Sequence, residues 1–219
     1  MIVGNEFVYI HVPKTAGTSF ELMMRERHEL HVKGDQHDSA ADIHLWNRSK
    51  FIFGFMRDPI KSEVSNWRYH KSSWAHNDQF TFENWCIWRY EEEKEWGTRL
   101  GLRDEPLNYG HIFNIRPQAG YFCDENGDCI ADMIYRYESL PLALADLTSR
   151  LNMDMSIDGF NGMTYGWSRG NEDYEKHVTD RSVEILRKAK GIDFDLHYHH
   201  GPISTDFKCE VSANYGYTR

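Results

Sequence analysis

Two short apolar runs stand out along the chain, and each is followed by a polar turn and a helical pattern. Residues 6–12 (EFVYIHV) and 50–56 (KFIFGFM) have the length and the β-branched, aromatic composition of buried strands. The first run leads through a loop at 13–18 into a helix predicted over 19–29. The second leads directly into a helix over 60–71. This order of strand, loop, helix, strand and helix predicts an α/β fold with a parallel sheet.

Later segments add to the predicted sheet and to the helices that cover it. Residues 117–137 have the pattern of a hairpin that ends in the strand IADMIY, and helices are predicted over 140–151 and 178–190. The sequence contains no repeat, low-complexity segment or linker. We therefore predict a single domain over 1–219, a length within the ordinary range for one domain.

The middle of the chain, about 72–115, is rich in Trp, Glu and Arg and has a helical pattern. Trp85, Trp88 and Trp96 are among its apolar positions. Such residues either fill the core between helices or form an aromatic platform for a sugar ring, and the sequence leaves both alternatives open. We expect this region to lie on the acceptor side of any active site.

Composition and charge exclude several classes of function. Hydrophobic residues make up 40% of the chain, enough for a buried core, and no run approaches the roughly 20 apolar residues of a membrane-spanning helix. The formal net charge of −9 argues against nucleic acid as a partner. The first residues lack the features of a signal peptide, so we expect a cytoplasmic protein with no membrane partner. An anionic cofactor would require a local basic cleft on this acidic chain.

The four cysteines do not form a pair with the CxxC spacing of a zinc or thioredoxin site. Cys123 and Cys129 flank a segment whose Asn126-Gly127 suits a tight turn, so the two side chains are expected to face each other across it. A disulfide between them stays open, because a reducing compartment would disfavour it.

The segment 13–19 (PKTAGTS) connects the first predicted strand to a helix start. Free backbone N–H groups and the helix dipole make such a place an anion site, and Lys14 adds a positive charge. Gly17 lets the backbone turn close to a ligand. The lysine comes early here, whereas the phosphate loop of nucleotide triphosphatases places it late, after a longer glycine loop. The predicted anion-binding residues are Lys14, Thr15, Ala16, Gly17, Thr18 and Ser19.

Residues 11–20 (HVPKTAGTSF) resemble the 5′-phosphosulfate loop of sulfotransferases that use 3′-phosphoadenosine 5′-phosphosulfate (PAPS). The branch most similar to this chain contains carbohydrate enzymes such as heparan sulfate 2-O-sulfotransferase. A second motif of that family begins with Arg-Asp-Pro after the next core strand and has a serine eight residues after the arginine. Here Arg57 begins that motif and Ser65 has the required spacing. The resemblance implies a P-loop-like, three-layer fold in which helices flank a central parallel sheet.

The resemblance also implies roles for individual residues. Arg57 and Ser65 would hold the 3′-phosphate of the cofactor, and a guanidinium suits bidentate phosphate binding. Lys14 would stabilise the transferred sulfuryl group and the leaving phosphate. A general base must take the proton of the acceptor hydroxyl, and His37 is the leading candidate, with Glu21 as the second.

The function implied is transfer of a sulfuryl group from PAPS to an acceptor hydroxyl, with 3′-phosphoadenosine 5′-phosphate (PAP) as product. The acceptor would be a glycan or a small hydroxyl compound, and the resemblance favours a carbohydrate. We expect no metal cofactor, because His197, His199 and His200 have no cysteine or clear acidic partner at ligand spacing. Two alternatives stay open, a small nucleotide-dependent kinase and a catalytically silent relative that binds PAP or PAPS. The sequence predicts no oligomeric state.

Overall fold

This computed structural model describes residues 1–73, 80–91, 116–156, 173–199 and 201–209. These residues form an α/β fold with a mostly parallel sheet of four strands and six α-helices, which confirms the predicted class. None of the helices described is long and apolar enough to cross a membrane.

Parallel pairing joins the two apolar runs that the sequence marks as strands. The sheet is built from β1 (Ile2–Val3), β2 (Phe7–Ile10), β3 (Phe51–Met56) and β4 (Met133–Arg136). The strands lie in sequence order across the sheet. β2 pairs in parallel with β3, and β3 pairs in parallel with β4. β1, which the sequence did not predict, is antiparallel to β2. Three strands therefore end at the same edge.

The helices begin and end close to the predicted positions. Asp58 caps the second helix through its Oδ1, which accepts a hydrogen bond from the N–H of Lys61 at 2.9 Å, as the Asp-Pro sequence predicts. The helix predicted over 178–190 is found at Asp180–Ala189, and a further helix that was not predicted, Gly191–Tyr198, follows it after Lys190. The helices are α1 (Gly17–His28), α2 (Pro59–Ser73), α3 (Phe82–Tyr90), α4 (Leu140–Leu151), α5 (Asp180–Ala189) and α6 (Gly191–Tyr198).

Both faces of the sheet are buried, as expected for parallel strands without a solvent-facing side. Alternate residues of β2 and β3 pack against α1 and α4 on one face and against residues 118–122 and Ile203 on the other. On the α1 and α4 face, the strand residues in contact are Phe7, Tyr9, Phe53 and Phe55.

A second hydrophobic cluster joins α2, α3, α5 and α6. Trp85 and Trp88 are buried in it together with Ile185 and Phe194, so these two tryptophans fill the core. Trp96 and the rest of 92–115 lie outside the described residues, as do 74–79. For Trp85 and Trp88 the alternative of a sugar platform is wrong, because neither ring is available to a ligand.

The hairpin prediction over 117–137 is correct only at its turn. Cys123 and Cys129 form an antiparallel bridge around that turn, and both are free thiols. Residues 118–122 are a 3₁₀ helix: the amides of Gln118 and Ala119 donate to Asp193, and that of Gly120 donates to the carbonyl of Pro117. β4 pairs with β3 and takes no part in the hairpin.

A buried ion triad connects α2 and α3 to Lys190, the residue between α5 and α6. The Glu63 carboxylate on α2 accepts from Lys190 Nζ at 2.9 Å and lies 3.1 Å from Arg89 Nε of α3. Trp85 Nε1 donates to the same carboxylate at 2.8 Å. Burial alone would raise the pKa of Glu63, but the charges of Lys190 and Arg89 lower it to about 2. The carboxylate is therefore ionised at neutral pH.

We expect Glu63→Gln to lower the free energy of unfolding at pH 7 by about 3–5 kcal/mol, because it leaves two buried cations without their anion. Glu63 has a folded-state pKa near 2 against an ordinary value of 4.5. Its contribution is present above pH 4.5 and is lost as the pH falls toward 2. Urea denaturation of both proteins at pH 7 and at pH 3 measures the difference, which should shrink at pH 3.

The matched control is Glu184→Gln, which removes an exposed partner of Arg181 at 3.0 Å. A surface pair contributes about 0–1 kcal/mol. Equal losses of stability in the two variants would contradict a structural role for the triad.

Candidate functional site

Connecting segments meet at the edge of the sheet where the three parallel strands end. Arg57 Nη1 donates to the carbonyl oxygen of Lys14 at 3.2 Å, which joins the segment after β3 to the loop after β2. The N–H of Asp58 donates to Glu138 Oε1 at 2.9 Å, which joins it to the segment after β4. In open α/β sheets this edge is where ligands bind. The three segments are residues 11–16, 57–58 and 137–139.

The loop between β2 and α1 has a strained backbone. Lys14 and Ala16 both have φ of 66°, in the left-handed region that costs a non-glycine residue about 1–2 kcal/mol. Thr15 Oγ1 donates to the carbonyl of Val12 at 2.8 Å and holds the loop in this shape. Residues 13–16 form a turn, and the first hydrogen bonds of the helix are those of the Ser19 and Phe20 amides to the carbonyl of Ala16, at 3.0 and 3.1 Å. The start of an α-helix directly after this turn presents N–H groups without partners inside the helix, which suits an anion.

The hydroxyl residues of this loop differ in exposure. Thr18 is exposed, whereas Thr15 and Ser19 are buried. The Thr15 hydroxyl is used inside the loop and shapes it. Of the three, only the Thr18 side chain is open to solvent.

Gly17 accommodates a histidine ring. A Cβ added to Gly17 would lie 1.8 Å from Cδ2 of His11, so no side chain fits while His11 keeps its position. His11 is buried, and its Nδ1 bonds to Glu21 Oε1 at 2.7 Å. Gln36 Nε2 donates to the other carboxylate oxygen of Glu21, also at 2.7 Å. The imidazole of His37 packs edge-on against that of His11, with 4.5 Å between ring centroids.

The two candidate bases therefore lie beside the loop, with His11 between them. His37 Nδ1 is 3.1 Å from the carbonyl oxygen of His11. Because a carbonyl only accepts, Nδ1 carries the proton in this contact and Nε2 is the basic nitrogen. Burial alone would raise the pKa of Glu21, but hydrogen bonds from His11 and Gln36 lower it below its ordinary value. Glu21 is therefore the weaker base.

Arg57 is held from several directions. Its side chain is buried, and its guanidinium lies 4.8 Å from the centroid of the Tyr137 ring. Its backbone exchanges two hydrogen bonds with the side-chain amide of Gln118, at 2.9 and 2.8 Å. The Asp193 carboxylate in turn accepts from the N–H groups of Gln118 and Ala119. These contacts fix the start of the second motif against the helical layer.

The surroundings of the Lys14 ammonium group disfavour its charged form. Burial lowers its pKa to about 8, and the nearby charge of Arg57 adds to that effect. Its Nζ lies 4.3 Å from the centroid of the Tyr69 ring. Lys14 makes no ion pair with any residue that the structure describes. An anion next to Lys14 and Arg57 would relieve their repulsion.

Ser65 lies on α2 and is partly exposed. It is six residues from the start of that helix, or about 9 Å along its axis. No hydrogen bond connects Ser65 to Arg57 or to the loop within the described ranges. The structure thus brings Lys14, Arg57 and the candidate bases to one edge, while Ser65 lies farther along α2.

Several residues of this edge were not assigned from the sequence. His11 lies inside the loop motif, and its position directly after a strand could have indicated it. Tyr137 and Glu138 follow β4, so the rule that parallel strands end at one edge could have found them. Gln118 had no such signal, because it comes from a 3₁₀ helix distant in sequence from Arg57.

Comparisons of the chain with protein-family models, with curated proteins and with solved structures found no match. The described residues contain no cluster of three or more His, Cys, Asp or Glu side chains with the geometry of a metal site. His200 lies outside these residues. The functional interpretation therefore depends on the two motifs and on the geometry at the sheet edge.

We expect Gly17→Ala to lower the free energy of unfolding by about 1–3 kcal/mol, because the new Cβ would displace the His11 ring. Urea denaturation measures this change. The loss should be smaller when Gly17→Ala is made in a His11→Ala background, since the clashing ring is then absent.

Gly191→Ala is the matched control. Gly191 begins α6, and an added Cβ has nothing within 4 Å. This variant should change stability by less than about 1 kcal/mol. If the two alanine variants had equal free energies of unfolding, the close packing of His11 against Gly17 would not contribute to stability.

Proposed function

We propose that this protein is a sulfotransferase that transfers a sulfuryl group from PAPS to an acceptor hydroxyl. The observation that carries the proposal is the contact at 3.2 Å between Arg57 Nη1 and the Lys14 carbonyl, which makes the two motifs neighbours at one sheet edge. Two adjacent anion sites suit a nucleotide with phosphate groups on both its 3′ and 5′ sides. We further propose that the sheet is the centre of a P-loop-like, three-layer fold.

The division of roles follows from charge and position. Lys14 and the N–H groups at the start of α1 bind the 5′-phosphosulfate, where the helix start and the lysine charge coincide. Arg57 binds the 3′-phosphate together with Ser65 of α2. The lowered pKa of Lys14 supports this assignment, because a bound anion offsets both its burial and its repulsion from Arg57.

Sulfuryl transfer requires in-line placement and stabilisation of the charge that develops on the bridging oxygen. The acceptor oxygen bonds to sulfur as the bond from sulfur to the phosphate oxygen breaks, and PAP leaves with that oxygen. Lys14 stabilises the charge on the leaving phosphate. The acceptor proton passes to a base on the enzyme.

His37 is the proposed base, with the proton accepted at Nε2. The His11 carbonyl selects this tautomer by accepting from Nδ1. Glu21 is less suited, because both of its carboxylate oxygens accept hydrogen bonds and its pKa is lowered. The proposed role of Glu21 is to orient His11, whose ring lies between Glu21 and His37.

A carbohydrate hydroxyl is the proposed acceptor, on the basis of the resemblance. The acidic net charge of −9 favours a neutral or weakly charged glycan over a dense polyanion. The cytoplasmic location and the absence of nucleic-acid and membrane partners stay predictions from the sequence.

We expect the purified protein to bind PAP more tightly than ATP or ADP in a calorimetric titration at pH 7. Arg57→Ala should weaken PAP binding by about 10- to 100-fold, because charge-assisted hydrogen bonds to phosphate are lost. Lys14→Ala should weaken it by about tenfold. Wild-type affinity should also fall as the pH rises through about 8, where Lys14 loses its proton, and Lys14→Ala should remove that dependence.

Lys188→Ala is the control for charge, because Lys188 is exposed on α5 and belongs to neither motif. It should leave PAP affinity unchanged within about twofold. Preference for ATP would favour the kinase alternative instead. Unchanged PAP affinity in both Lys14→Ala and Arg57→Ala would refute the site assignment.

We expect His37→Ala to lower the rate of sulfuryl transfer from labelled PAPS by about 10²- to 10⁴-fold, which is the usual contribution of a general base. The assay uses an acceptor found by screening glycans and small alcohols. PAP affinity should stay within about twofold of wild type, since His37 acts on the acceptor. His31→Ala, which removes an exposed histidine, is the control.

Glu21→Gln separates the two candidate bases. It keeps a hydrogen-bond acceptor for His11 and should cost less than about tenfold in rate. If Glu21→Gln abolished transfer and His37→Ala did not, Glu21 would be the base. PAP binding without transfer to any acceptor would favour the catalytically silent alternative.

A further inference from the structure

Three of the four cysteines lie around one turn. Cys123 and Cys129 face each other across it, and the N–H of Gly127 closes it by donating to the carbonyl of Asp124 at 3.0 Å. Gly127 has φ of 82°, a conformation that glycine adopts without strain. Cys209 approaches the same turn from the distant end of the described chain.

The segment before Cys209 pairs with the turn like an added strand. The N–H of Cys209 donates to the carbonyl of Gly127 at 2.8 Å, and the N–H of Cys129 donates to the carbonyl of Phe207 at 3.2 Å. Between these bonds, Lys208 and Asp128 form an antiparallel bridge and an ion pair of 2.9 Å. Backbone pairing on both sides of Lys208 therefore holds Cys209 at the turn.

The thiol contacts favour one pairing over the other. The Cys123 thiol donates to the carbonyl oxygen of Ala119 at 3.5 Å, and it also lies in contact with the side chain of Cys209. The sulfur of Cys129 instead accepts from the backbone of Ala131. Cys123 and Cys129 thus face each other through their backbones, while the thiol of Cys123 is in contact with Cys209.

We propose that Cys123 and Cys209 form a covalent modification site, a disulfide made by exchange with a low-molecular-weight disulfide such as oxidised glutathione. The inference is independent of the proposed sulfotransferase activity. It assigns a bond between a turn inside the fold and a segment 86 residues further along the chain.

Exposure and acidity determine the order of the reaction. Cys123 is buried, whereas Cys209 is partly exposed. Burial raises the pKa of Cys129 to about 12, and the contact with Cys209 together with burial raises the pKa of Cys123 even further, so neither thiol begins the attack at neutral pH. Attack on the external disulfide therefore begins at Cys209.

The exchange balances in two steps. The Cys209 thiolate displaces one glutathione thiolate and forms a mixed disulfide. The sulfur of Cys123 then attacks the Cys209 sulfur and displaces the second glutathione thiolate, which takes the Cys123 proton. One external disulfide is reduced to two thiols, and two protein thiols are oxidised to one disulfide.

The bond would attach residues 201–209 to the element that supports Arg57. Cys123 directly follows the 3₁₀ helix 118–122, and Gln118 at its start holds the backbone of Arg57. Oxidation thus adds a covalent link on the side of this helix away from the sheet edge.

Peptide mapping of the oxidised full-length chain tests the proposal. The reduced protein is incubated with oxidised glutathione, free thiols are blocked with N-ethylmaleimide, and the tryptic digest is analysed without reduction. Trypsin cleaves after Lys208 and leaves the bond between Arg116 and Pro117 intact, so Cys209 lies on a different peptide from Cys123 and Cys129. We expect most of the protein to yield a cross-linked peptide, located to Cys123 by fragmentation.

Three variants complete the test. Cys129→Ser and the control Cys86→Ser should keep the cross-link, and Cys209→Ser should lose it. A loop within one peptide, from a Cys123–Cys129 bond, would overturn the proposal, as would a glutathione adduct on Cys209 without a protein disulfide. Because the wild-type map decides the pairing by itself, a variant that fails to fold does not leave the question open.

Discussion

The parallel hydrogen-bonded ladder of β2, β3 and β4 is the constraint on which the rest of the structure depends. Its register places Ile10 opposite Gly54 and Met56 opposite Arg136, so the three strands end together. Residues far apart in sequence then share one edge, and the contacts of Arg57 with Lys14 and of Asp58 with Glu138 follow from that. A sheet of antiparallel neighbours would have put the loop of Lys14 and the motif of Arg57 at opposite ends.

The strain and charge at this edge are supported by the helical layer. Asp193 of α6 holds the amides at residues 118 and 119, and Gln118 holds the backbone of Arg57. The Glu63 triad connects α2, which begins directly after Arg57 and Asp58, to α3 and to Lys190. Arg57 therefore stays beside Lys14 because buried ionic contacts elsewhere fix the elements on which both motifs depend. Two like charges kept together in this way are prepared for an anion.

Patterns among neighbouring residues in the sequence predicted the elements that depend on local interactions. The three parallel strands, α1, α2 and the Asp58 cap follow from apolar spacing and capping residues, and the loop of Lys14 follows from its place between a strand and a helix. Contacts over long separations gave no such signal: Gln118 meets Arg57, and Asp193 meets Gln118, only in the folded chain. The hairpin prediction failed in its first arm for the same reason, because Asp193 takes the amides that a strand partner would have needed. The packing of His11 against Gly17 likewise depends on the loop conformation.

A cationic site on an acidic protein also limits what can approach it. The net charge of −9 repels a long polyanion over distances up to about 10 Å at ordinary ionic strength, whereas the attraction of Lys14 and Arg57 acts at contact distance. The proposed nucleotide donor would gain the attraction of both cations, whereas a polymer would also have to lie against acidic surface. The same balance of charge that suits the proposed donor therefore favours an acceptor with little charge. The local basic site would then favour an anionic donor, and the negative charge of the whole protein would favour an acceptor with little charge.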